Sequence, residues 1–187
     1  RLDASVQSES VDIPLQARLI GVTGESLRAG ATYRVSESRS FGVAIATIDF
    51  SDGNRRDIVT ASAFQRLTTG PVYKLDATAG LNTSANSLDG ASYFNPDSDL
   101  GLDATLIGEQ RLWRRYDRDF VHRLHLGLGQ YRQSGFGTGT TARLRYEHAW
   151  RLDERLDLLY GAERSAHPYD GARVYTSHYN LSLAWRF

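Results

Sequence analysis

Charged side chains recur at every second position of segments whose remaining positions are apolar. Asp76, Asp103, Glu109, Glu147, Asp157 and Glu163 follow this rhythm, as do Arg18, Arg28, Arg34, Arg111, Arg123, Arg143, Arg145, Arg151 and Arg186. Successive side chains of a strand point to opposite faces, so these charges would gather on one wall. Carboxylates and guanidiniums on a wall form charge-assisted hydrogen bonds with each other, or with the hydroxyls of a passing polymer. The spacing offers no covalent chemistry. Serine, histidine and aspartate are scattered without a nucleophile-and-base arrangement. The Gly24-Glu25-Ser26 step lacks the last glycine of a nucleophile elbow, with Arg28 in its place. In the run Gly135 to Thr140, a threonine stands where a dinucleotide fingerprint needs its third glycine. His122 and His125 are three apart, on opposite faces of a strand, and cannot share a metal. Cysteine is absent, which removes disulfides and thiolate metal sites. No catalytic residue, cofactor or metal is expected, and His178 is expected as a water-facing residue.

The elements that position these charges follow from the same alternation. Leu181, Leu183 and Trp185 share one face with Phe187, while Ser182, Ala184 and Arg186 share the other. A strand wet on one side and apolar on the other, with aromatics at its ends, suits a transmembrane β-barrel. The rhythm predicts about twelve strands, near residues 2–9, 14–23, 27–36, 39–50, 56–66, 72–82, 86–94, 99–113, 119–132, 139–152, 155–165 and 172–187. Outward faces include Phe41, Val43 and Ile45; Tyr73 and Leu75; Leu100, Leu102 and Leu106; Leu124, Leu126 and Leu128; Leu144 and Tyr146; Leu158 and Tyr160. The expected fold class is all-β, a transmembrane antiparallel up-and-down β-barrel, occupying residues 1–187 with no second domain. A mean hydropathy of −0.42 does not oppose this, because every second barrel residue faces water. Net charge is zero, so nucleic acid is not an expected partner.

Turn chemistry supplies an orientation. If Phe187 ends in the periplasm, Pro14, Pro71, Pro96 and Pro168 all fall in connections at the outer side. The interface aromatics Trp113, Trp150 and Trp185, with Phe187, fall at the inner side. Proline is expelled from strand interiors, and tryptophan prefers the membrane boundary. The hairpin signal Asp52-Gly53-Asn54 and the Asp153-Glu154 connection are then inner turns, and Ser134 to Gly139 an outer one. A three-residue turn at 153–155 places Leu152 opposite Leu156. It also sets Arg151 against Asp157 and Arg145 against Glu163, both pairs pointing inward. The expected pore-lining set is Asp76, Asp103, Glu109, Arg143, Arg145, Glu147, Asp157, Glu163 and His178.

The terminal phenylalanine resembles the assembly signal of bacterial outer-membrane proteins, implying the barrel assembly machinery and outer-membrane lipid as partners. Tyr93-Phe94-Asn95-Pro96, the run Trp113 to Phe120, Tyr146 to Trp150, His167 to Gly171 and Trp185-Arg186-Phe187 resemble the C-terminal barrel of the poly-β-1,6-N-acetyl-D-glucosamine export porin family (PgaA/HmsH). The resemblance implies a porin in the bacterial cell outer membrane that exports this partly de-N-acetylated biofilm polysaccharide. It also implies a barrel of sixteen strands, a periplasmic tetratricopeptide-repeat region before it, and a periplasmic deacetylase that contacts a region absent from this chain. Two other readings are an autotransporter translocator and an outer-membrane hydrolase. The first calls for a pore-threading helix, and residues 1–26 contain none; the second calls for a Ser/His/acid set that cannot be assembled. The chain opens Arg1-Leu2-Asp3 without a signal-peptide pattern, so N-terminal strands are expected elsewhere, leaving residues 2–9 and the last strand as open edges.

Overall fold

A computed structural model describes residues 1–7 and 14–186. The elements in chain order are β1 (Leu2–Gln7), α1 (Leu15–Leu19), β2 (Gly24–Ser36), β3 (Arg39–Phe50), β4 (Arg55–Thr69), β5 (Tyr73–Asn86), β6 (Ser98–Arg115), β7 (Arg118–Gln133), β8 (Gly137–Arg151), β9 (Leu156–Tyr169) and β10 (Ala172–Trp185). The strands form one sheet in sequence order, an up-and-down meander. Among the described residues, ten strands replace the expected twelve. Among the described residues β1 pairs with β2 and β10 with β9, and the sheet is not closed. Residues 8–9 of the first expected strand, and Phe187 of the last, lie outside the described residues.

Both missing strands have physical causes. Residues 15–19 form a short helix instead of the strand expected at 14–23, so Arg18 is helical and leaves the strand-face series. Pro14 cannot donate to a ladder, and the helix buries only Ala17. The segment expected as a strand at 86–94 is a loop. Ser87 N–H makes the last bond to β4, at Arg55 O (3.0 Å), and shares the Asn54 side-chain oxygen (3.2 Å) with Leu88 N–H, which bonds there at 3.1 Å. Gly90 has φ +69°, a conformation glycine adopts without steric cost.

Each lost strand reverses the direction of what precedes it, and the two reversals cancel before residue 14. Between them the orientation changes. Pro71 falls at the tryptophan end, and Asp52-Gly53-Asn54 at the opposite end; Pro14, Pro96 and Pro168 remain opposite Trp113, Trp150 and Trp185. Face assignments survive because they depend on side-chain alternation alone. Leu102, Leu126, Leu128, Leu144, Leu181 and Leu183 are all exposed on the apolar face.

The chain divides into two compact units. One comprises Arg1–Ala63, Gly80–Leu102 and Tyr131–Thr138; the other comprises Phe64–Ala79, Asp103–Gln130 and Gly139–Phe187. The first contains a small core in which Ala17, Ile48, Phe50 and Tyr93 are buried, with Val22, Ile58 and Ala91 packed against it.

Candidate functional site

In the second unit, the expected register is observed. Arg145 lies opposite Glu163 and Arg151 opposite Asp157 across β8 and β9, and Leu152 N–H donates to Leu156 O at 2.9 Å. The side chains follow: Arg145 is 4.0 Å from Glu163, and Arg151 is 3.8 Å from Asp157. Asp157 also pairs with Arg186 of β10. Glu163 takes a second guanidinium from Arg143 at 3.5 Å. His178 stands opposite Glu163 on β10.

Glu147 is the buried node of this lattice. Its side chain is only 6% exposed, pairs with Arg145, and lies 3.2 Å from His125 Nε2. It rests flat on β9 because residue 161 is glycine; a Cβ there would come within 2.9 Å of Glu147 Cγ and 2.7 Å of Tyr146 O. His122 points the other way, to Gln110 and Tyr146, so the two neighbouring histidines do occupy opposite faces.

Further along the wall, Glu109 joins Lys74 (3.0 Å) and Arg123 (2.7 Å), and Asp76 receives Arg66 at 2.9 Å. Asp103 is exposed and has no ion pair among the described residues. The candidate carboxylates therefore divide into five neutralised by arginine, lysine or both, and one left open. The expected interface aromatics differ in setting. Trp150 stacks on Phe120 with ring centroids 3.9 Å apart; Trp113 and Trp185 are exposed, and Phe187 is outside the described residues.

The first unit holds two polar hubs that alternation did not single out. Asp99, 5% exposed at its side chain, accepts from Ser84 N (2.9 Å), Ser84 Oγ (2.8 Å) and Tyr131 Oη (3.0 Å), and faces Arg56 at 3.5 Å. Its strand parity with Asp103 was the available signal. Asn54, 1% exposed, donates from Nδ2 to Asn95 Oδ1 (2.7 Å) and Tyr93 Oη (3.1 Å) while its oxygen holds the 87–97 loop. Tyr93 in turn donates to Asp52 (2.9 Å) and stacks on Phe50. Burial, then Asn54 and Asp52, act on the Tyr93 hydroxyl, and the balance raises its pKa above the usual value. No local signal links Asn54 to a loop about forty residues away.

The wall is thus an ion-paired lattice on one face of a sheet whose other face is apolar and exposed. A family model described as the PgaA membrane beta barrel domain matches residues 1–187. The chain is 27% identical over its whole length to the poly-beta-1,6-N-acetyl-D-glucosamine export proteins of Escherichia coli K12 and O157:H7, and spans 23% of each. A solved structure titled bacterial polysaccharide outer membrane secretin superposes with a TM-score of 0.95 at 27% identity, covering 100% of this chain and 64% of that one. A match across all 187 residues, on a meander with one charged and one apolar face, places this chain in the PgaA membrane β-barrel domain family.

Proposed function

We propose that this chain forms much of the wall of a bacterial outer-membrane porin that exports poly-β-1,6-N-acetyl-D-glucosamine, the partly de-N-acetylated polymer of biofilms. The observation that carries the reading is the full-length family match on a sheet whose polar face is laid with exchangeable ion pairs. In a membrane barrel that face is the lumen. Open edges cannot sit in lipid, so further strands of the longer protein close the barrel. No bond is made or broken: transport needs weak, repeated contacts, which half-exposed guanidiniums and their partly exposed carboxylate partners supply by exchanging partners with sugar hydroxyls and free amines. Asp103 is the carboxylate most ready to meet the polymer; Asp76, Glu109, Arg143, Arg145, Glu147, Asp157, Glu163 and His178 extend the track. Trp113, Trp150 and Trp185 mark the periplasmic rim. Assembly uses the barrel assembly machinery, and the periplasmic deacetylase docks on a region outside this chain.

The test is polymer secretion by cells whose intact porin carries Asp103→Ala, or Glu147, Asp157 and Glu163 all replaced by alanine. Each set should lower secreted polymer while heat-modifiable gel mobility stays unchanged. Normal secretion from both would reduce these carboxylates to a structural lattice.

A further inference from the structure

On the apolar face, six polar side chains from five strands form one continuous hydrogen-bonded chain. Gln110 Nε2 donates to Tyr73 Oη at 2.9 Å. His122 Nε2 lies 2.9 Å from Gln110 Oε1, and its Nδ1 lies 2.8 Å from Tyr146 Oη. Tyr146 Oη is 3.0 Å from His148 Nε2, whose Nδ1 is 2.9 Å from Tyr160 Oη. The amide sets the direction of every proton. Its oxygen must accept from His122 Nε2–H, so Nδ1 accepts from Tyr146. Tyr146 then accepts from His148 Nε2–H, and His148 Nδ1 accepts from Tyr160. Both nitrogens of each histidine are used, which is how such groups tolerate a lipid-facing surface.

Two donors remain without an acceptor among the described residues: the Tyr73 hydroxyl hydrogen and the second amide hydrogen of Gln110. They border a groove of about 410 Å³ that also runs between Leu75 and Leu124. Gly108 lies in this groove, and a Cβ added there would meet nothing within 4 Å. Beyond His148 the face continues into the stacked rings of Phe120 and Trp150, so the polar row lies between an aromatic rim and the leucines.

We infer that this groove holds an acyl chain of a diacyl phospholipid, with an ester or phosphate oxygen accepting from Tyr73 and Gln110. The groove is apolar where a chain would lie and offers donors where the headgroup region begins. Its donors are neutral, and Lys74, the cation in its lining, is engaged by Glu109, so a zwitterionic lipid fits better than a multiply phosphorylated one. The inference rests on the membrane placement above, with the tryptophan rim at the periplasmic leaflet.

The test uses intact porin in mild detergent, incubated with 1-palmitoyl-2-oleoyl-phosphatidylethanolamine and read by native mass spectrometry. Gly108→Leu fills the groove and should cut bound lipid about tenfold, the equivalent of removing roughly two methylenes from contact. Gln110→Glu keeps the acceptor for His122 but removes both amide donors, and should lower retention severalfold. Leu183→Ile, on β10, should retain lipid as the unaltered porin does. Polymer secretion should be normal in the Gly108→Leu porin, so a failed lipid assay leaves the export reading standing. Equal retention by the Gly108→Leu and unaltered porins would overturn the inference, as would equal retention by the Gln110→Glu porin or a preference for lipopolysaccharide over phosphatidylethanolamine.

Discussion

The two units treat polar side chains in opposite ways. In the first, Asn54 and Asp99 are almost wholly buried, and neutral hydrogen bonds meet most of their polar atoms. In the second, Arg143, Arg151 and Arg186 remain about half exposed or more while they pair with Asp157 and Glu163; Glu147 is the exception, buried like Asp99. A buried group whose partner is removed pays its full desolvation cost, whereas a solvated ion pair loses little when broken. One arrangement fixes a loop in place. The other leaves a wall whose charges trade partners at low cost.

The largest effect expected from this contrast is at Asn54. Replacing it with alanine releases the N–H group of Leu88 and removes a donor from the oxygens of Tyr93 and Asn95, and should cost about 3 kcal/mol locally. Limited proteolysis of the intact porin in detergent should then cut within residues 87–97, where the unaltered protein resists. Persistent resistance would mean that the loop is held without Asn54, by Tyr93 on Phe50 and Asp52 and by the bonds between Ser87 and Arg55.

A smaller effect is expected from alkali. The Tyr93 pKa is raised by burial and by Asp52, so the folded loop holds its proton more tightly than the released loop. The stabilisation is complete below the ordinary tyrosine value near 10 and is lost as pH climbs through the higher folded value. Proteolysis of the 87–97 loop should therefore accelerate above about pH 10. Tyr93→Phe removes that pH dependence, at a cost of about 1 kcal/mol at neutral pH.

The smallest effect belongs to the lattice. A double-mutant cycle on Arg151 and Asp157 should return a coupling of roughly 0.5 kcal/mol, shrinking with added salt. A value above about 2 kcal/mol would show that the lattice is as fixed as the Asn54 hub and would dissolve the contrast.

The sequence made the lattice more readable than the hub, and the reason is range. Arg145 with Glu163 and Arg151 with Asp157 follow from strand period and a single three-residue turn, both local. Asn54 with Tyr93 and Asn95 depends on a loop returning across about forty residues, for which alternation carries no information. The same limit explains the strand count. Leu15, Ala17 and Leu19 keep a period of two, yet fold as a helical turn because a proline begins the segment and only Ala17 is buried. Residues 86–94 combine a tyrosine and a leucine with turn residues, and Asn54 captures the N–H of Leu88, where the ladder to β4 ends. Because faces depend on parity rather than on direction, Arg145 meets Glu163 and Arg151 meets Asp157 as expected, even though Pro71 and the Asp52 turn lie at the ends opposite to those expected and Arg18 is helical.

The central claim is that the charged face lines the export path and the apolar face does not. Asp103 and Ala104 are adjacent on β6, both exposed, with opposite side-chain parity. Each is replaced by cysteine in an otherwise cysteine-free intact porin, labelled with a bulky polyethylene-glycol maleimide, and secreted polymer is measured. The account predicts that labelled Asp103→Cys blocks secretion and labelled Ala104→Cys leaves it unchanged; block at Ala104 with normal export through labelled Asp103 would contradict it.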